Sequence, residues 1–238
     1  MHVYTNQKAL FGGNQPWVVQ EWTASDDRVR GGKSQSYLSA GGLARTAVFH
    51  GNLDITALGG AGFASQRTAT NTEIWNLAEF DGLLLDVENA DDLRYTLTLK
   101  DTLLPPDPDT GREQSTISYE YDFSVDGQID SSKRLYIPWS AFRATYRGRD
   151  MPDAPSVNLK SIRRFSFMVR SFFGDQQGNF SLSIRSLSVT KALQLEEDMV
   201  FSVDEKEEGS YESNEGRAHL SVARAGWLNE LWRQCTIQ

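Results

Sequence analysis

Up to Ala192, hydrophobic positions recur at every second residue in short pieces. Tyr95, Leu97 and Leu99 alternate in "RYTLTLK"; Ile117, Tyr119, Tyr121 and Phe123 in "TISYEYDF". Phe165, Phe167 and Val169 do so in "RFSFMVR", and Phe180, Leu182 and Ile184 in "NFSLSIRSL". A period of two built from aromatic and β-branched residues predicts strands that bury one face. Turn signals separate the pieces: "AGG" (40–42), "HGN" (50–52), "LGGAG" (58–62), "PPDPDTG" (105–111), "VDG" (125–127) and "GDQQG" (174–178). Neither a strand–helix–strand rhythm nor a repeat of fixed period is present. The pattern therefore predicts an all-β, antiparallel sandwich or jelly roll whose two inner faces supply the core.

The pattern changes after Leu193. Gln194 to Gly216 contains nine acids and one base, Lys206, with few apolar residues, and reads as an acidic linker. In "RAHLSVARAGWLNELWRQ", Leu220, Ala223, Trp227, Leu228, Leu231 and Trp232 are spaced by threes and fours, as in an amphipathic helix. The expected organisation is a sandwich over 1–193, a linker over 194–216 and a helix over 217–238. That helix either folds back on the sandwich or docks into a partner's groove through Trp227 and Trp232.

Composition changes this picture in three ways. The net charge of −8 resides in the linker, so the sandwich is neutral and lacks the basic excess of a phosphate-backbone binder; nucleic acid is not an expected partner. No apolar run reaches spanning length, since even "GLLLDV" is broken by Asp86, so no membrane span is expected. Cys235 is the sole cysteine, which leaves no internal disulfide and no cysteine-rich zinc site. The opening "MHVYTNQKALFGGNQPW" has one lysine, no arginine and no apolar core, unlike a secretory signal or an arginine-rich transit peptide. An intracellular location is expected on that ground.

Candidate chemistry is sparse. Of His2, His50 and His219 only His50, in "VFHGN", lies within the sandwich, and no Gly-x-Ser-x-Gly elbow accompanies it. "DPDTGRE" (Asp107–Glu113) offers a fragment of a calcium loop but lacks the later bidentate glutamate, so a plain loop is the simpler account. No catalytic residue, metal site or cofactor is therefore expected. Arginine is more prominent, with 17 Arg against 7 Lys. Arg143, Arg147 and Arg149 cluster in "FRATYRGRD", and Arg163, Arg164 and Arg170 in "SIRRFSFMVRS". Planar guanidinium forks suit intramolecular carboxylate pairs or an interaction surface for a protein, a sugar or an anionic ligand.

One polar stretch, "TASDDRVRGGKSQSYLS" (Thr23–Ser39), has almost nothing to bury. Asp26 and Asp27 can accept backbone N–H bonds in a turn, Gly31 and Gly32 permit close approach, and Ser34 and Ser36 share a strand face. Asp26, Asp27, Arg28 and Arg30 then either hold the sandwich edge or form a ligand rim.

Six ordered blocks carry a resemblance. They are "WTASDDRVRGGKSQS" (Trp22–Ser36), "FHGNL" (Phe49–Leu53), "GGAGFASQR" (Gly59–Arg67), "FDGLLLDV" (Phe80–Val87), "YIPWSAFRATYRGR" (Tyr136–Arg149) and "SIRRFSFM" (Ser161–Met168). Together, over roughly residues 17 to 190, the chain resembles the complex I intermediate-associated protein family. The resemblance implies a galactose-binding-like β-sandwich and a non-enzymatic, chaperone-like assembly factor that binds complex I subunits or assembly intermediates. It implies a mitochondrial location, or a cytosolic one if the chain has no presequence. Binding anchors would then be sought at Trp75, Trp139, Arg143, Tyr146, Arg147 and Arg149, with Trp227 and Trp232 as a second surface. The alternative is a carbohydrate- or small-ligand-binding module, which would use Trp75 or Trp139 as an exposed platform beside the arginines.

Overall fold

A computed structural model describes residues 4–40, 45–69, 72–125 and 134–192. The expected linker and the helix carrying Trp227 and Trp232 lie outside the described residues. Among the described residues there are strands and short 3₁₀ turns and no α-helix.

Thirteen strands among the described residues form two sheets. In the first, β3 (Gln35–Ala40), β4 (Ala47–Leu53), β13 (Gly178–Ala192), β6 (Gly82–Ala90) and β9 (Arg134–Pro138) lie side by side in that order. The first strand, β1 (Tyr4–Gly12), pairs with the second half of β13 beyond the end of β4. The second sheet runs β11 (Arg149–Asp150), β10 (Arg143–Tyr146), β8 (Ser118–Phe123), β7 (Tyr95–Lys100), β12 (Arg164–Arg170), β5 (Phe63–Thr68), β2 (Trp22–Ala24). Every pairing is antiparallel. The result is an all-β sandwich with its core between the two inner faces.

The alternating residues are the ones that fill this core. Tyr95, Leu97, Leu99, Phe165, Phe167 and Val169 are all nearly solvent-free, as are Phe180, Leu182 and Ile184 opposite them. Register on β13 is not a single alternation. Its pairing with β6 shifts between Ser183 and Ser186, and beyond the shift Leu187 and Val189 take over the inward face. A bulge changes the parity of the pleat, which is how one fifteen-residue strand keeps its apolar side inward along two different neighbours.

Candidate functional site

The "SDDRVRGGKSQS" stretch folds into a 3₁₀ turn (Asp27–Arg30) ahead of β3. Both carboxylates turn inward: Asp26 is 4% exposed and Asp27 0%. Asp27 Oδ1 accepts from Ser34 N (3.1 Å), while its Oδ2 accepts from Ser34 Oγ (2.7 Å) and Phe63 N (3.1 Å). Asp26 Oδ1 accepts from Ser36 Oγ (2.6 Å) and Ser65 N (3.0 Å), and its Oδ2 from Ser36 N (3.2 Å). Ser36 lies on β3, the first sheet's edge strand, and Ser34 just ahead of it; Phe63 and Ser65 belong to β5 of the second. The node thus joins the two sheets by charge-assisted bonds, and neither carboxylate has a place on a ligand rim. Arg28 pairs with Asp26 at 3.3 Å from a mostly exposed position, and Arg30 lies 5.6 Å from the Phe63 ring centroid.

Of the tryptophans singled out from sequence, Trp75 and Trp139 are half-buried against the core rather than displayed. Trp75 packs edge-on against Phe165 (5.1 Å) and exchanges two backbone hydrogen bonds with Ile162. Trp139 donates its indole N–H to Phe80 O at 2.6 Å. An exposed aromatic platform beside the arginines is therefore missing at both positions.

Four of the sandwich arginines are engaged in ion pairs on the second sheet. Glu113 bridges Arg67 (3.1 Å) and Arg164. Arg170 reaches Glu120 (2.7 Å) and Asp122 (2.6 Å), and Arg143 reaches Asp122 (2.8 Å) and Asp150 (3.5 Å). Lys100 lies among them, donating to Thr116 Oγ1 at 2.9 Å, and burial lowers its ammonium pKa.

The remaining candidates come together at the free edge. The β10–β11 hairpin turns through Arg147 (φ 54°) and Gly148 (φ 77°), a two-residue turn that needs positive φ at both positions. Its tip exposes Tyr146, Arg147 and Arg149. The Arg147 guanidinium sits 5.5 Å from the Tyr146 ring centroid and its Nε donates to Ser115 Oγ at 3.2 Å. Beside the hairpin a cleft of about 660 Å³ has Tyr119, Trp139, Phe142 and Leu159 in its lining and Arg143, Asp150 and Met151 among its polar and exposed edges. Tyr119 donates to Pro155 O (3.1 Å), which ties the cleft to the segment after β11. Burial, and then the Asp101 carboxylate, push the Tyr119 hydroxyl up to about 12. Met151 and the Pro152–Pro155 wall were not legible in sequence, because nothing local marks where a loop returns to a sheet edge.

Other sequence candidates have simple surroundings. His50 Nε2 lies 3.2 Å from the Ser39 hydroxyl and its ring stacks on exposed Tyr37. Asp107 closes its own turn, accepting from Asp109 N, Thr110 N and Thr110 Oγ1; the Thr110 hydroxyl chiefly holds its carboxyl below the ordinary value. Among the described residues no three His, Cys, Asp or Glu side chains gather as a metal would need.

Comparison with known proteins places this geometry in context. An uncharacterised protein of Schizosaccharomyces pombe is 44% identical over 186 residues, covering 75% of this chain and 81% of that protein. Among solved structures, a family 11 carbohydrate-binding module from Clostridium thermocellum, in complex with a mixed-linked tetrasaccharide, superposes with TM-score 0.49 and 16% identity. That alignment covers 79% of this chain and 97% of the module. A family 28 module specific for non-crystalline cellulose gives TM-score 0.31 and 11% identity, over 77% and 92% of the two chains. The family model described as Complex I intermediate-associated protein 30 (CIA30) matches residues 10–184, from the end of β1 to the middle of β13. That match spans most of the chain's length, and the chain belongs to the complex I intermediate-associated protein 30 family.

Proposed function

We propose that the protein is a non-enzymatic assembly factor that holds an incomplete piece of respiratory complex I, in the mitochondrion, through the β10–β11 hairpin and the cleft beside it. The observation that carries the reading is the juxtaposition at this edge. Tyr146, Arg147 and Arg149 stand exposed on a tight two-residue turn, next to an apolar depression with an Arg143–Asp150 rim. Aromatic and arginine side chains around a concave apolar patch are the usual anchors of a protein interface. Family membership supplies the class of client. A sugar-binding reading would draw on an exposed tryptophan, and Trp75 and Trp139 are packed against the core instead.

The test is native capture of the full-length protein from isolated mitochondria, with wild type compared to the Arg147→Glu/Arg149→Glu double variant. Both side chains are solvent-exposed, so the variant is expected to keep its far-UV spectrum and melting temperature. Wild type is expected to recover complex I subunits and the variant to lose them. Capture that survives the double substitution overturns the assignment of the hairpin. Recovery of no complex I subunit by wild type overturns the assembly reading itself.

A further inference from the structure

A second feature stands at the opposite end of the second sheet. Registers place Ser118 and Thr145, and hence the hairpin, at the Leu99–Phe165 end, whereas Arg170 pairs with Phe63 at the other, roughly 20 Å away along the strands. Just past Arg170 three consecutive residues have positive φ: Phe172 (45°), Phe173 (66°) and Gly174 (100°). Glycine adopts that region freely; two aromatic residues in succession do so only when the surroundings impose it. Phe173 gains nothing from burial in return, being 103% exposed.

Its neighbours hold the turn. The Phe172 ring lies 3.6 Å from the Arg94 guanidinium carbon and 4.7 Å from that of Arg170. Gln176 Nε2 donates to Arg170 O (2.7 Å) and Arg94 O (2.8 Å), and its Oε1 accepts from Arg94 N (2.9 Å). Ser171 N donates to Gly62 O at 2.9 Å. The neighbouring residue, Phe63, donates its N–H to Asp27, whose turn carries Val29, 73% exposed. Two turns gripping adjacent residues of one strand start therefore present two apolar side chains to solvent. The backbone that carries the Phe173 ring is held in this way, so it has little freedom left to lose on binding.

Charge narrows the occupant. Arg94 pairs with Asp175 at 3.7 Å and follows Asp91 and Asp92 in the same loop, while Arg28 and Arg30 stand on either side of Val29 in its turn. An anionic membrane surface selects a cationic excess; interleaved signs around an apolar knob suit a polypeptide. We propose that Phe173 is an anchor for a polypeptide partner, entering an apolar pocket the size of one phenyl ring, with Val29 at its margin and the Arg94–Asp175 pair on its rim. This contact is separate from the hairpin, and only the identity of the client rests on the assembly reading.

The test pairs two measurements on the full-length protein. Phe173→Gly removes an exposed ring and relieves its backbone, so its melting temperature is expected to equal or exceed wild type, while recovery of the complex I subunits falls about tenfold or more. In parallel, a photo-crosslinking phenylalanine analogue at position 173 is expected to trap one defined polypeptide, the same one whose recovery falls with Phe173→Gly. At Ile74, also exposed at 55%, the analogue should not trap it. If wild type recovers complex I subunits and Phe173→Gly recovers them equally, this inference falls while the assembly reading stands. If wild type recovers none, the assembly reading falls and the pairing of adduct and Phe173→Gly loss decides alone. Adducts only to lipid, no adduct, or a melting temperature lowered by Phe173→Gly overturn the anchor.

Discussion

Asp27→Asn is the sharpest probe of how the sandwich is closed. The wild-type carboxylate accepts from Ser34 N, Ser34 Oγ and Phe63 N at 3.1, 2.7 and 3.1 Å, with no solvent contact. An asparagine amide has the same shape but one acceptor oxygen. Placed toward Phe63 N, that oxygen leaves its NH₂ facing the Ser34 N–H; flipped, the NH₂ faces the Phe63 N–H. Either way a buried backbone donor meets another donor, at a cost of about 1–3 kcal/mol. The two surviving bonds lose their charge assistance, adding roughly 1 kcal/mol. A loss near 3 kcal/mol is expected, a large part of the ~5–15 kcal/mol typical of a domain. Urea unfolding followed by tryptophan fluorescence should show the midpoint falling by roughly 1 M at unchanged slope. A shift below about 0.3 M would refute the claim that this node couples the sheets. A double-mutant cycle adds a geometric check, because a Cβ on Gly32 would overlap the Asp27 carboxylate. Gly32→Ala should be costly in wild type and much less so in Asp27→Ala, where that space is empty.

Two more expectations concern groups the packing has tuned. Tyr119 titrates at about 12 in the folded protein against 10 unfolded, so its share of stability is full below pH 10 and lost as pH rises toward 12. Tyr119→Phe should cost about 1 kcal/mol at pH 7, from the Pro155 hydrogen bond, and flatten the alkaline limb of a stability–pH profile. Tyr95, raised by burial and then by Asp91, keeps the remaining alkaline sensitivity; a limb unchanged by Tyr119→Phe would refute the assignment. Arg170→Met should destabilise by about 3 kcal/mol, since it removes the ion-pair partner of the buried Glu120 and leaves Asp122 beside it with Arg143 alone. Adding Glu120→Gln should recover part of that loss in thermal unfolding, and a double variant no better than the single would count against the ion-pair account.

A two-residue period is a local property, and it determined which residues of β7, β8 and β12 face inward before any partner strand was known. The same is true of the turn at Gly31–Gly32, and of the absence of a helical rhythm before Leu193. What the tertiary structure decided depends on groups far apart in the chain. Asp27 becomes a buried tie only because Phe63, 36 residues later, arrives with an N–H to donate. Trp17 is anchored by the carbonyl of Arg185, 168 residues away. Arg164 and Arg67 are bridged by Glu113 from a loop, which no pattern in "SIRRFSFM" specifies. The parity change on β13 follows from its having different neighbours along its length. Exposure of Phe173, beside the half-burial of Phe172 in the same dipeptide, follows from where Arg94 and Gln176 meet the turn. Identical residues carry identical hydrophobicity in a sequence; only the neighbours brought by folding determine which one is covered and which is left to bind.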